Sequence, residues 1–281
     1  MMYRNERKRW YALCILEVSP ENQQTDNTTN KPIAIVTIDL GIVRSLTAVL
    51  LAPDQTIVRF FMDKEKTRIL NDYDVKIRKY QRVYARKKRN GERTKNVSRI
   101  LKGFRLERLG IDQQYDHVLT RQVIDWCSQL SQNYTVHLVI GDVTAIRKIR
   151  YKGDHGSRKH RGMLHRWNYG RLVNFLKYKW ELAGLDPDYL HQRKEWYTSK
   201  TCHACRSTNT RRPSQGLIIC QNDSCDWQGN ADLNAALNIG FLLIESLRLD
   251  KVTYGLHGDE QLPSPINLAH AVWVTGRGRQ G

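Results

Sequence analysis

The sequence predicts an α/β protein: a mixed sheet with helices on its faces and a small cysteine-rich module inserted near the end. Three observations carry this. Three short apolar runs, 33–39, 44–51 and 56–62, follow one another with only short turns between them. From about residue 64 onward, helical and extended patterns alternate. Four of the six cysteines fall within 24 residues of one another.

Residues 9–18 read as a strand and 19–32, polar and rich in Asn, Thr and Gln, as a loop. The three apolar runs are rich in Ile, Val, Leu and Phe, and their turns hold Gly41 and Pro53-Asp54, so an antiparallel meander is expected. A long helical stretch over 64–130 breaks near Asn90-Gly91. A strand over Thr135–Ile140 and a basic loop, 147–166, come next. A helix over Met163–Ala183 places Leu172, Leu176, Trp180 and Ala183 on one face, with Gly184 as its C-terminal cap. An extended segment, 189–197, leads into the cysteines, and a last helix runs from Ala231 to about Leu247. Three antiparallel strands followed by alternating helix and strand is the order of an RNase H-like fold. The expected division is 1–32 as an N-terminal remnant and linker, 33–198 as the core with a basic helical insert at 64–130, 199–228 as the cysteine module, 229–250 as the last core helix, and 251–281 as a tail without assignment.

Lys and Arg number 46 against 28 Asp and Glu, a formal charge of +18. That excess repels itself in the folded state and points to a polyanionic partner, because each phosphate contact releases counterions. Between Lys76 and Arg108 stand 14 Lys or Arg and only two Glu. A merely solvated helix face would alternate its signs; one dominant sign fits a phosphate backbone better. Arg78, Arg82, Arg86, Lys87, Lys88 and Arg89 are the candidates. No apolar run approaches the roughly 18 residues of a spanning helix, and no apolar segment follows the N-terminal charges, so a cytoplasmic protein without membrane contact is expected.

Cys14 and Cys127 stand alone in apolar stretches and read as buried thiols. The others form Cys202-x2-Cys205, 14 residues, then Cys220-x4-Cys225. Two close pairs joined by a hairpin-length stretch suit a tetrahedral zinc ion held by four thiolates, and a site so filled is structural. His203 lies inside the first pair but is not needed as a ligand.

A two-metal hydrolase needs carboxylates from separate elements converging on one point, and hard ions such as Mg²⁺ demand oxygen. Asp39 ends an apolar strand, where an acid is costly unless used; it also reads as a turn residue beside Gly41. Asp232 opens the last helix, where opposing the helix dipole is the simpler role.

At these residues a resemblance enters. Ile38-Asp39-Leu40-Gly41-Ile42 resembles the first RuvC motif of TnpB proteins. Tyr197-Thr198-Ser199-Lys200-Thr201-Cys202-x-x-Cys205 is similar to the start of their zinc module. Asn230-Ala231-Asp232-Leu233-Asn234-Ala235-Ala236-Leu237-Asn238-Ile239 resembles their third RuvC motif, with Ala231 where Arg is common. The resemblance covers about Trp10 to Leu243 and implies a RuvC-like, RNA-guided DNA endonuclease related to type V CRISPR effectors. It implies DNA and a guide RNA as partners, structural Zn²⁺, and catalytic Mg²⁺ or Mn²⁺ held by Asp39, Asp232 and a third acid.

Two departures accompany it. The second RuvC motif places Glu at the end of the fourth strand, where this chain has Gly141. Asp142 is adjacent, but neighbours on a strand face opposite ways. Glu195, before Thr198-Ser199, matches the relocated Glu of some TnpB proteins and of their Fanzor relatives, and can reach across the gap at Gly141; it also reads as a surface acid paired with Arg193 or Lys194. The chain is also short at its front, so a nuclease-dead or truncated nucleic-acid-binding derivative is the alternative.

Overall fold

The computed structural model describes residues 31–41, 45–62, 64–142, 169–195, 197–214 and 216–250, with the backbone of three short strands. Those strands are β1 (Met2–Arg4), β2 (Trp10–Ala12), antiparallel to β1, and β11 (Val272–Thr275). The strand expected over 9–18 is seen only as Trp10–Ala12; Cys14, the rest of 13–30, the basic loop 147–166 and most of the tail lie outside the described residues.

The meander forms β3 (Ile33–Asp39), β4 (Leu46–Leu51) and β5 (Thr56–Met62), each antiparallel to the next. β6 (Thr135–Asp142) lies parallel to β3, and β7 (Leu190–Lys194) parallel to β6. The sheet order is β11-β5-β4-β3-β6-β7. The tail carries no strand expectation from sequence; β11 in fact pairs parallel with β5 and closes that edge. Central β3 and β4 are apolar on both faces because both faces are covered, so their sequences do not alternate.

One face carries Val36, Ile38, Leu138 and Ile140 against the C-terminal half of α2 (Lys95–Leu130) and against α3 (Tyr169–Leu182). Leu172, Leu176 and Trp180 of α3 are buried there, as their spacing predicts, each worth roughly 1.5–3 kcal/mol. Gly184 ends α3 in the left-handed region at φ 69°, as expected of its cap position. The other face carries Ile35, Val49 and Val139 against α4 (Ala231–Ser246). A Cβ on Gly240 would meet Thr37 Cγ2 at 2.5 Å and Leu51 Cδ1 at 2.7 Å, so α4 can lie this close to β3 only because that position is glycine.

The helical stretch divides at the expected place, into α1 (Lys64–Arg89) and α2, and Gly91 turns the chain at φ 71°. The two helices pack as an antiparallel arm through Tyr73, Tyr80 and Phe104, with Val97 and Leu101 buried. Its base is tied by charge: Lys66 bonds Asp112 (2.9 Å) and Asp116 (2.6 Å), and Arg171 of α3 bonds both acids. No described helix is long and apolar enough to cross a membrane.

The cysteine stretch folds into its own antiparallel sheet of β8 (Thr210–Ser214), β9 (Leu217–Cys220) and β10 (Gln228–Asn230). β10 runs directly into α4, so the module is covalently continuous with the helix bearing Asp232.

Candidate active site

Strand alternation decides which acids share a face. Ile35 and Val139 both pack on the α4 side, so Thr37 and Asp39 of β3, and Gly141 of β6, face α4 as well. Gly141 pairs with Arg193 of β7, and Arg193 reaches Ser246 of α4 at 2.8 Å. Glu195 is two residues on, so it too faces α4. Asp142 lies in register with Ile140 on the opposite face, and β6 continues through it.

Glu195 fills the space that Gly141 leaves. A Cβ at Gly141 would stand 1.7 Å from Glu195 Oε1 and 2.6 Å from its Cδ. No side chain but hydrogen fits at position 141 with Glu195 so placed. Glu195 Oε1 is buried and without a hydrogen-bond partner, which is costly for a carboxylate oxygen in a folded protein. Glu195 is half-buried, with Oε1 turned inward rather than out to solvent.

The electrostatics follow. Burial pushes the Glu195 carboxyl up to about 7, and neighbouring Asp142 adds to the rise. Asp39 is raised well above the carboxylate range by burial first, then by Glu195 and by Asp232. Glu195 from the end of β7 and Asp232 from the first turn of α4 both act on Asp39 of β3, and Asp142 acts on Glu195. Arg212 of β8 opposes the rise at Asp39, bringing a cation from the cysteine module to the same place. Asp232 sits in the first turn of α4, whose N-cap, Asn230, accepts from the amides of Asp232 (2.9 Å) and Leu233 (3.0 Å).

Cys202, Cys205, Cys220 and Cys225 come together as their spacing predicts, with all four sulfurs within 4.8 Å of one another. Cys202 and Cys225 are 3.9 Å apart, Cys205 and Cys220 3.5 Å. Four thiolates at about 2.3 Å from a tetrahedral zinc ion stand about 3.8 Å apart, so the donor set fits structural zinc. Among the described residues these thiols are the one group of three or more metal-ligating side chains gathered so closely; the carboxylates are spread over three elements. Cys127 is buried, and burial pushes its thiol to about 12, an inert core group.

His203 is turned away from the thiols: its backbone N–H and its Nδ1 meet Asn234 Oδ1 at 2.8 and 3.2 Å. Burial holds its imidazole down, at about 4, so the ring is neutral. Asn234 and Asn238, buried on α4, went unassigned in the sequence although they bind the cysteine module to the helix. The available signal was two amides one helical turn apart on an otherwise apolar helix.

Arg78, Arg82, Arg86, Lys88 and Arg89 are exposed on the arm; the first three recur every four residues and so share a face. Lys87 is instead held by Glu92 at 2.6 Å across the turn.

An RNase H-like sheet of the RuvC type with an inserted four-cysteine ribbon is the class these features define. Residues 169–239 match the family described as Cas12f1-like, TNB domain. A TnpB-like protein of Methanocaldococcus jannaschii is 29% identical over 134 residues, 45% of this chain and 45% of that protein. Among solved structures, the mini-RNA-guided endonuclease CRISPR-Cas_phi3 aligns over 80% of this chain and 47% of its own, with TM-score 0.50 and 14% identity. A CRISPR-Cas12f ternary complex aligns over 76% of this chain and 40% of that one, with TM-score 0.50 and 19% identity. The chain spans less than half the length of these relatives. The chain is thus similar to a TnpB-like protein over part of its length, and its fold is similar to that of the Cas_phi3 and Cas12f structures.

Proposed function

We propose that this chain is a metal-dependent DNA endonuclease of the RuvC type, guided by RNA, with Asp39, Glu195 and Asp232 as its catalytic carboxylates. The observation that carries the reading is Glu195 Oε1, buried, unpartnered and lying in the space over Gly141. It supports a carboxylate moved from the end of β6 to the end of β7 while keeping its place in space. All three candidates present oxygen donors in one shared field, the chemistry a hard divalent ion requires. Asp39, Glu195 and Asp232 would hold Mg²⁺ or Mn²⁺, which when bound would supply an activated water and stabilise the leaving oxygen. The residues would fix the geometry: Asp39 from the rigid centre of the sheet, Asp232 from a capped helix, Glu195 from the strand beside Gly141. Asp142 is not needed. A Zn²⁺ ion in the thiol cluster would be structural.

Arg78, Arg82, Arg86, Lys88 and Arg89 would follow a phosphate backbone along the arm, and Lys87 would contribute less. RNA guidance rests on the TnpB-like relationship rather than on any single residue. The test is cleavage of single- and double-stranded DNA in Mg²⁺, with and without co-purified RNA. Asp39→Ala and Asp232→Ala should each abolish cutting while leaving DNA binding intact. DNA binding without cleavage by the unaltered protein would identify a nuclease-dead binder instead.

A further inference from the structure

Helix α4 is apolar along most of its length, yet Asn234 and Asn238 are buried on it, one turn apart. A buried primary amide is costly unless its atoms are paired. Their partners all come from the stretch 198–206, which leads out of β7 and through the first cysteine pair. Asn238 Nδ2 donates to the carbonyls of Thr198 (2.9 Å) and Thr201 (2.7 Å). Asn234 Nδ2 donates to Thr201 O at 2.8 Å and, more weakly, to Thr198 O at 3.4 Å. Asn234 Oδ1 accepts from His203, and Asn238 Oδ1 accepts from Arg206 Nη1 at 2.8 Å. Both partners lie beside thiols of the cluster.

The same segment reaches back to the backbone of Glu195. Thr198 Oγ1 donates to Glu195 O at 3.1 Å. Tyr197 holds the left-handed region at φ 59°, and its carbonyl accepts from Lys200 (2.9 Å) and Thr201 (2.8 Å), which closes the turn. An unbroken run of bonds therefore links the thiol loop to Asn234 and Asn238, these to Thr198, and Thr198 to Glu195. Asp232 is carried by the same helix, two residues before Asn234.

The geometry points to Asn234, Asn238 and Thr198 as positioning residues that couple the thiolate module to the carboxylate pair, fixing the separation of Glu195 from Asp232. This rests on the reading of those acids as divalent-ion ligands. The amides touch neither metal nor substrate; they hold two ligand-bearing segments in register. Partners of this kind typically change metal affinity 10–100-fold when removed.

The test is Mn²⁺ binding by calorimetry on the full chain, with zinc content measured on the same samples. Asn238→Leu should keep one zinc per chain and weaken Mn²⁺ binding about tenfold or more. Thr198→Val should weaken it in the same direction, and Thr198→Ser, which keeps the hydroxyl, should restore it. The threonine pair decides the matter if Asn238→Leu fails to fold or loses zinc, since general destabilisation would not be rescued by serine. Mn²⁺ affinity unchanged in Thr198→Val, with Asp39→Asn still abolishing binding, overturns the coupling and spares the nuclease reading. Binding unaffected by Asp39→Asn overturns both.

Discussion

At the scale of residues, Gly141 and Glu195 form one unit. Glycine is required at 141 because the Glu195 carboxylate occupies the volume its Cβ would take. Gly141→Ala should therefore displace Glu195 rather than unfold the sheet. Displacement by an ångström or so costs cleavage on the order of a hundredfold, with a melting temperature near that of the parent protein. The raised carboxyls give a second prediction. Glu195, up at about 7, and Asp39, also raised, keep protons in the folded protein that the unfolded chain releases near 4.5 from Glu and 3.8 from Asp. Between those values the folded state binds more protons, so stability falls as pH rises, and the Glu195 share of that fall is complete above about 7. Thermal melts in buffer free of Mg²⁺ and Mn²⁺, with zinc retained, should show a lower melting temperature at pH 8 than at pH 5. Added Mn²⁺ should reduce or reverse that difference, because it binds the ionised acids.

At the scale of elements, the arm and its base behave differently. The base is a cluster of buried charge: burial alone would raise Asp112, but Lys66 and Arg171 beside it more than offset this and hold it low. Arg171→Ala removes one of the two cations described beside Asp112 and Asp116. Breaking such a pair costs about 3 kcal/mol or more, read as a lowered denaturation midpoint. The exposed face of α1 should matter for binding alone. Replacing Arg78, Arg82 and Arg86 with Gln should leave stability within about 0.5 kcal/mol. It should also reduce the salt dependence of nucleic-acid binding by about one unit of slope for each phosphate no longer neutralised. An unchanged slope would place the polyanion elsewhere on the molecule.

At the scale of the whole molecule, the order of the elements, the divided helical stretch and the thiol cluster were legible because each rests on a local rule: apolar runs, a turn glycine, paired cysteines. The place of Glu195 was legible as a geometric option, since strand parity removes Asp142 from the α4 face and a gap at Gly141 invites a long side chain. What the sequence hid was non-local. The β11 pairing joins strands more than 200 residues apart, and short strands carry little periodicity of their own. Asn234 and Asn238 looked like ordinary helix residues until their partners, carbonyls in a turn 33 to 40 residues earlier, were in view. The proposed function turns on the third acid lying at the end of β7 and not at the end of β6. The direct measurement is Mg²⁺-dependent DNA cleavage by Glu195→Gln beside Asp142→Asn, with folding of both verified. Glu195→Gln should be inactive and Asp142→Asn should cut at close to the parental rate; activity in Glu195→Gln together with its loss in Asp142→Asn would contradict that placement.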